Sequence, residues 1–296
     1  MRTPNVIKHQ ASLKPLNRIF RKLMWPTPCY MLSIDESPSL RFKMVEDFTR
    51  HFTGRALFYS TSRPSYPSQI LDILRTEIGF DQIHVVADIG SGTGLLSELF
   101  LTNGNRVIGV EPNGDMRIFA EKNLGRFPKF LSVKGTAERT SLETAIIDLV
   151  TVGQALHWFD CEAASKEFAR ILKPNGHVCI VYNDRNNEDS FMKEYDQIVS
   201  KYARDRANVP TIDHAYLSKF FKNSKYSKFS MSNEQLLDLE GLLGRMTSAS
   251  YMPSPSDEEQ FTAMKEMVAR LFRTHERMGK VRMLYDTTVF LGKILI

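Results

Sequence analysis

Three glycines at alternate positions follow an acidic residue in the segment 85–97, which reads VVADIGSGTGLLS. Glycine has no Cβ, so such a run lets the backbone turn sharply with positive φ and lets a ligand lie directly against it. The apolar residues on both sides predict a buried strand before the glycines and a helix after them. A helix N-terminus presents unpaired N–H groups and about half a positive charge, which suits a nucleotide-like ligand with an anionic group.

The spacing of these glycines argues against three other glycine-rich turns. A P-loop requires Lys and then Ser or Thr after its last glycine, where this chain has Leu95 and Leu96. A dinucleotide fingerprint that began at Gly90 would need glycine in place of Leu95. A hydrolase elbow around Ser91 would need glycine in place of Ile89. The pattern that remains is D-x-G-x-G-x-G, formed by Asp88, Gly90, Gly92 and Gly94.

Short β-branched runs alternate with helical patterns around this turn, which is typical of parallel β-α-β units. The predicted strands cover 84–89, 106–111, 130–135, 145–153 and 177–183. Helices are predicted at 94–104, 113–124 and 162–176, the last of them stopping at a Pro-Asn-Gly sequence. This order predicts a doubly wound, Rossmann-like sheet, in which the ligand lies beyond the carboxyl ends of the strands.

Composition excludes several classes of protein. The chain is 42% hydrophobic and has no stretch near the 18 continuous apolar residues of a membrane span. Its three cysteines are odd in number and lack C-x-x-C spacing, so we expect neither a disulfide framework nor a metal site. Reduced thiols favour an intracellular protein.

The positive charge of the chain is concentrated near its beginning. The net charge is +5, but residues 1–43 carry eight Lys or Arg against two acids, so the remainder is at −1. A nearly neutral body argues against a nucleic-acid partner, which would require clustered cations. The first 43 residues are expected to be a disordered extension or a targeting segment. Cytoplasmic localisation is predicted, with mitochondrial import as the alternative.

The D-x-G-x-G-x-G pattern resembles motif I of the class I S-adenosylmethionine-dependent methyltransferases. The next strand ends in GVEPNGDM, which places Glu111 nineteen residues after Gly92, where an acid can accept both hydroxyls of a ribose. GTAERTSL (135–142) is similar to the family's adenine-side loop. LVTVGQALHWFD (149–160) is similar to its fourth-strand motif, and EFARILKPNGHVCIV (167–181) to the following helix and strand.

The resemblance implies that S-adenosyl-L-methionine is the cofactor. It implies that Asp88 orients the loop or meets the methionine amine, that Glu111 binds ribose, and that the N–H of Ala137 contacts adenine. Further implied cofactor contacts are Pro112, Met116, Glu138, Gln154, Tyr59 and Arg63. Structural roles remain open for several of them: Asp88 as a turn cap, Glu138 as a polar loop residue, and Tyr59 and Arg63 as anchors of their segment.

Two residues after the fourth strand, His157 and Trp158, are expected to border the transferred methyl group and the substrate. His157 is the predicted catalytic residue, because an amine or hydroxyl acceptor must lose a proton and an unperturbed imidazole has a pKa of about 6.5. A carboxylate acceptor would need no base. Packing between strand and helix is the other interpretation of Trp158.

More narrowly, HFTGRALFYSTSRPSYP (51–67), QALHWFD and the tail GKVRMLYDTTVFLG (279–292) resemble the small-molecule branch that contains trans-aconitate methyltransferase. This resemblance covers about residues 48–292. It implies a seven-stranded, mostly parallel sheet with an antiparallel last strand, a helical insertion after strand five, and late strands near 226–232 and 281–292. The predicted methyltransferase domain is 44–296, with a core at 84–183, a variable substrate region at 184–279 and a closing strand at 281–292.

The predicted function is therefore methyl transfer to a small-molecule acceptor, with a carboxylate as one candidate. Two alternatives stay open. An NAD-dependent oxidoreductase would share the sheet and the ribose-binding acid, although the fingerprint spacing is absent. A non-catalytic S-adenosylmethionine-binding protein would keep motif I without an acceptor pocket. Nucleic-acid methylation is disfavoured, because no Asn/Asp-Pro-Pro-aromatic motif follows the fourth strand.

Overall fold

A seven-stranded sheet organises the part of the chain that the computed structural model describes, residues 62–204, 212–222, 224–249 and 251–294. The strand order is β3-β2-β1-β4-β5-β7-β6. Strands β1 to β5 pair in parallel, and β7 runs antiparallel to both β5 and β6. The strands are β1 (Val85–Ile89), β2 (Arg106–Val110), β3 (Phe130–Val133), β4 (Ile147–Gly153), β5 (Leu172–Arg185), β6 (Tyr226–Leu237) and β7 (Val281–Gly292). The predicted fold class is confirmed.

Helices cover both faces of this sheet. They are α1 (Gln69–Ile78), α2 (Leu95–Thr102), α3 (Gly114–Leu124), α4 (Cys161–Ile171), α5 (Ser190–Tyr202), α6 (His214–Phe220), α7 (Leu239–Thr247) and α8 (Glu258–His275), with a 3-10 turn at Leu156–Trp158. Asp or Asn side chains cap α3 to α7 by accepting backbone N–H groups of the first turn. None of the described helices has the length and apolar character that a bilayer crossing requires.

Alternating strand residues divide the core between the two faces. In β1, Val86 packs with α1 and α2, whereas Ala87 and Ile89 pack on the other face with α4 and α6. This period of two follows from the pleat, which points successive side chains to opposite faces. Because both faces of the parallel strands are covered, most of their residues are apolar.

A third apolar cluster lies in the region predicted to be a helical insertion after strand five. Helices α5, α7 and α8 bury their apolar side chains against the end of β6 and the start of β7. The strand residues in this cluster are Leu237, Val281, Met283 and Tyr285. Strand β6 lies within the same region and extends five residues beyond the predicted 226–232, because β7 pairs with it along its whole length.

The clearest difference from the predicted elements is at the start of β5. A stop at Pro174 was expected to separate helix from strand, but β5 begins at Leu172, directly after α4. Its pairing with β4 shifts after Leu172 and resumes at His177. A strand tolerates proline at such an irregularity, because the missing N–H has no ladder partner to lose. The predicted extension 1–43 lies outside the described residues.

Candidate cofactor and acceptor site

The glycine loop crosses the carboxyl ends of β1 and β2. The N–H groups of Gly90 and Ser91 both donate to Val110 O, at 2.8 and 3.2 Å, so the loop is attached to the neighbouring strand. All three glycines have positive φ, between 55° and 87°. A Cβ at Gly94 would lie 2.4 Å from Leu124 Cδ1, whereas a Cβ at Gly92 would meet nothing within 4 Å. Gly94 therefore lets α3 approach, and Gly92 leaves an open surface.

Glu111 holds this open loop in place from the end of β2. Its Oε2 accepts the N–H of Gly92 at 3.0 Å, and its Oε1 accepts the N–H of Asn113 at 2.8 Å. The side chain is buried, which raises the pKa of the carboxyl, while the two backbone hydrogen bonds oppose that rise. The structure thus brings Glu111 to the glycine loop, as the spacing predicts, with lone pairs left for a diol.

Asp88 lies beneath the loop rather than on its rim. The hydroxyls of Ser97 and Thr151 donate to its two carboxylate oxygens at 2.6 and 3.1 Å. These contacts join the end of β1 to the first turn of α2 and to β4. Burial raises the pKa of Asp88 to about 6, although these hydrogen bonds lower it. Asp88 is also among the residues that line the cleft in front of the loop, so both implied roles, orienting the loop and meeting an ammonium group, fit this position.

A cleft lies in front of the glycine loop. Its other walls come from the segment 62–67, the residues that follow β4, the end of β5, and α7; they include Arg63, Tyr66, Gln154, Asn183 and Arg245. The buried hydroxyl of Thr93 in the loop has no hydrogen-bond partner among the described residues. Since buried polar groups are ordinarily paired, this hydroxyl indicates a polar ligand.

Gln154 has a strained backbone at the point where β4 ends. Its φ is 57°, which is uncommon outside glycine and recurs at functional sites. Its N–H donates to Val181 O at 3.0 Å, and its Nε2 donates to Asn183 O at 2.9 Å. The side chain therefore joins the ends of β4 and β5 beside the cleft.

Four further predicted cofactor contacts follow β2 and β3: Pro112 on the loop after β2, Met116 in the first turn of α3, and Ala137 and Glu138 on the loop after β3. Met116 and Ala137 are both buried, and Pro112 is partly buried beside Glu111. Glu138 Oε1 accepts the N–H of Asp160 at 2.9 Å, which ties its loop to the start of α4. That hydrogen bond is the structural role left open for Glu138, and cofactor contact by this residue stays a prediction.

His157 lies in the 3-10 turn after β4. Its Nδ1 is 3.3 Å from the Tyr182 hydroxyl, and its ring centroid is 4.7 Å from that of Trp158. Burial lowers the pKa of His157 to about 4, well below the unperturbed value on which the sequence-based expectation rested. The imidazole is therefore neutral at physiological pH. It does not border the cleft in front of the glycine loop among the residues described there.

The segment 62–67 is attached to the far side of the cleft. Ser65 O accepts Asn233 Nδ2 at 2.8 Å, and Ser62 O accepts Gln235 Nε2 at 3.2 Å, both from β6. Arg63 Nη2 donates to Ser248 O at 3.2 Å, just after α7. Arg63 thus has a structural contact and also borders the cleft. Tyr59 lies outside the described residues.

The cleft residues that sequence reasoning missed include Tyr66, Thr93, Asn183 and Arg245. Three of them had a signal, because Thr93 stands between motif glycines, Asn183 ends the fifth predicted strand, and Tyr66 belongs to the YSTSRPSYP segment. The remaining one, Arg245, had none, since its helix follows β6 and no motif marks it.

Comparisons with known proteins agree with this geometry. A family model described as a methyltransferase domain matches residues 87–180. An uncharacterized methyltransferase of Schizosaccharomyces pombe is 28% identical over 218 residues, which cover 73% of this chain and 86% of the relative. An uncharacterized methyltransferase of Mycobacterium bovis is 29% identical over 234 residues, which cover 79% of this chain and 90% of the relative.

Solved structures share the fold at low sequence identity. A candidate type II methyltransferase of Anaeromyxobacter dehalogenans superposes with a TM-score of 0.59 at 19% identity, covering 79% of this chain and 98% of the other. A phosphoethanolamine N-methyltransferase of Haemonchus contortus, solved with S-adenosylhomocysteine, gives a TM-score of 0.51 at 16% identity. It covers 84% of this chain and 59% of its own.

The domain match, the named relatives and the fold identify the chain as a class I S-adenosylmethionine-dependent methyltransferase, and S-adenosyl-L-methionine is its cofactor. The open face of Gly92, the anchored carboxylate of Glu111 and the unpartnered Thr93 hydroxyl fit such a ligand. The oxidoreductase and non-catalytic alternatives are not supported. The narrower resemblance to the trans-aconitate branch, and the contacts of the individual site residues, stay predictions.

We expect Gly92→Ala to weaken S-adenosylhomocysteine binding about tenfold or more, which corresponds to about 1.4 kcal/mol, because the new methyl group would occupy the open face of the loop. Gly79→Ala is a matched control, since Gly79 also has positive φ, 65°, and nothing within 4 Å of an added Cβ. Both variants should lose about 1 to 2 kcal/mol of stability from backbone strain. Isothermal titration calorimetry measures the affinities, and equal affinities of the two variants would contradict the assignment.

We expect Asp88→Asn to stabilise the cofactor-free protein increasingly as pH rises. The raised pKa means that the unfolded chain ionises Asp88 near its usual 3.8 while the folded chain ionises it near 6. The unmutated protein therefore loses stability as the pH rises from about 4 to about 6, and the loss reaches about 3 kcal/mol above about pH 6. Thermal unfolding of both proteins at about pH 4 and about pH 7.5 measures this difference. If the difference in stability between the two proteins did not change with pH, ionisation of the buried Asp88 carboxyl would carry no cost, which would contradict this prediction.

Proposed function

We propose that this methyltransferase acts on a small-molecule acceptor. The observation that carries the proposal is the wall that the segment 62–67 forms along the cleft: this segment is hydrogen-bonded to β6 on one side and to the residue after α7 on the other. A cleft walled on this side suits an acceptor that enters whole, whereas a polymer would need an open groove. The net charge of −1 outside residues 1–43 supports the same conclusion, because a nucleic-acid substrate favours clustered cations.

The residues of the chain would act mainly by positioning. When bound, S-adenosylmethionine supplies a methyl group that its sulfonium centre already activates. Glu111 would hold the ribose of the cofactor, the glycine loop would contact the part of the cofactor next to the ribose, and Asp88 would face the methionine ammonium. The residues after β4 would then hold the acceptor in line with the methyl group, at about 3 to 3.5 Å, with water kept out.

His157 does not line the cleft in front of the glycine loop, but it would reach the acceptor from the 3-10 turn that follows the cleft residue Gln154. Because its pKa is lowered to about 4, the neutral ring can accept a hydrogen bond from an acceptor hydroxyl or amine, but it is a weak base. This position therefore favours an acceptor that needs little help in losing a proton, and a carboxylate is such a group. Cytoplasmic localisation stays a prediction, because residues 1–43 lie outside the described residues.

The proposal predicts where a labelled methyl group goes. Purified protein is incubated with methyl-labelled S-adenosylmethionine and a cell extract that has been separated into metabolites, proteins and nucleic acids. We expect the label in the metabolite fraction, in a product that is sensitive to mild base if the acceptor is a carboxylate. Label confined to the protein or nucleic-acid fraction would overturn the small-molecule proposal.

For the acceptor identified in this way, we expect His157→Ala to lower kcat/KM without changing the affinity for S-adenosylhomocysteine. The pH profile of the unmutated enzyme should show no ionisation of His157 near 6.5, because burial moves that pKa to about 4. Steady-state kinetics from about pH 5 to about pH 8 measure both effects. Unchanged kinetics in the variant would remove His157 from the mechanism. Lys166→Ala, an exposed change on α4, serves as the control.

A further inference from the structure

A buried arginine on α7 borders the cleft. Arg245 is only 5% exposed, and its Nε donates to the Tyr285 hydroxyl at 3.1 Å. That is the only hydrogen bond that its side chain makes to the described residues, so its two terminal nitrogens have no acceptor there. Because the side chain is part of the wall shared with the glycine loop, these donors are available to a ligand in the cleft.

No carboxylate of the described residues balances the charge of Arg245. Within the described part of the chain, no carboxylate oxygen lies within 4 Å of its guanidinium, and its neighbours are the aromatic residues Tyr195, Tyr251 and Tyr285. Nearby Arg185 differs, because Asp196 Oδ1 lies 2.8 Å from its Nη2. A buried guanidinium without an anionic partner is costly, since desolvation is not offset by an ion pair.

Three arginine side chains act electrostatically on the Tyr251 hydroxyl. Arg185 Nη1 donates to the Tyr251 hydroxyl at 3.4 Å. Burial alone would raise the pKa of that hydroxyl, yet Arg185, Arg245 and Arg63 together hold this pKa below its usual value of 10. The arginines therefore create a positive potential at the end of the cleft that α7 and the segment 62–67 share.

We infer that Arg245 binds an oxyanion of the acceptor, with a carboxylate as the group its planar fork fits best. The inference rests on the proposed function and adds to it the chemical class of the substrate. Guanidinium and carboxylate form paired hydrogen bonds in one plane, and a buried pair of this kind fixes the orientation of the ligand. An acceptor anchored by one carboxylate could present a second carboxylate, or another nucleophile, to the methyl group.

The cofactor has a carboxylate of its own, so the test must separate the two ligands. Full-length protein saturated with S-adenosylhomocysteine is titrated by calorimetry with succinate, propane-1,2,3-tricarboxylate, inorganic phosphate and the uncharged succinamide. We expect at least one carboxylate to bind more tightly than succinamide. Arg245→Met should weaken that binding about 30-fold or more, as for the loss of a buried charge partner, and should leave S-adenosylhomocysteine affinity unchanged.

Stability gives a second readout. Arg245→Met should keep or raise the melting temperature, because it removes an uncompensated buried charge. Tyr285→Phe keeps the charge and removes only the hydroxyl that orients Arg245, so it should weaken carboxylate binding less. Arg282→Met on β7 is the matched control, since Arg282 is exposed, and it should change neither affinity.

Each result decides the inference. Binding of phosphate alone, lost in Arg245→Met, would support the oxyanion site with a phosphoryl group as its source. Equal anion binding in Arg245→Met and Arg282→Met, or no preference over succinamide, would overturn it. Loss of S-adenosylhomocysteine binding in Arg245→Met would also overturn it and assign the arginine to the cofactor. Label found only in proteins or nucleic acids would instead contradict the proposed function, while these titrations would still test the anion site.

Discussion

The hydrogen bond from Gly92 N–H to Glu111 Oε2 connects the glycine loop to the end of β2. It forms only because β1 and β2 are adjacent and parallel, which brings their carboxyl ends to one edge of the sheet. Gly92 has no side chain, so the loop cannot be stabilised at this position by a side-chain contact of its own. Its conformation depends instead on Glu111 from one side and on Asp88 with Ser97 and Thr151 from below. The rest of the site is built around this supported turn.

Several groups at this edge are arranged at a cost to stability. Asp88 is buried with its pKa raised and Gln154 has positive φ; among the described residues, the Thr93 hydroxyl has no partner and buried Arg245 has no carboxylate partner. Each is a local conflict in a fold whose helices α3 to α7 are capped by side chains and whose core is packed on both faces of the sheet. Such conflicts concentrate where a ligand completes the missing interactions, since function and maximal stability make different demands on the same residues.

The two halves of the sheet support different walls of the cleft. The half from β3 to β4 supplies the glycine loop and Glu111, and the antiparallel β7 and β6 extend the sheet to support α5, α7 and α8. These helices have their own apolar cluster, so their cleft-facing residues can vary without disturbing the core that holds the cofactor loop. Ser248, which follows α7, and Arg63 of the segment 62–67 are joined by a hydrogen bond. This side of the cleft is therefore assembled from parts of the chain that are distant in sequence.

Local pattern was sufficient for the parallel half of the fold. Alternating apolar runs and the glycine spacing predicted β1, α2, β2 and the proximity of Glu111 to Gly92, because strand ends and helix starts leave signatures within a few residues. The continuation of β5 through Pro174 was not predictable in this way, since it depends on a pairing shift with β4. The lowered pKa of His157 likewise depends on burial, which could not be predicted from the residues near it in sequence.

The sequence by itself determined the cofactor half of the protein: the motif, the alternation of strands and helices around it and the acidic residue beyond the second strand. Only the tertiary structure decided the other side of the cleft. The burial of Arg245 without a carboxylate partner among the described residues, its support by Tyr285 forty residues later, and the wall formed by the segment 62–67 exist only once β6 and β7 have paired. The physical reason is that the burial and pairing of a charge depend on contacts between distant segments, whereas a turn and its flanking elements depend on neighbouring residues.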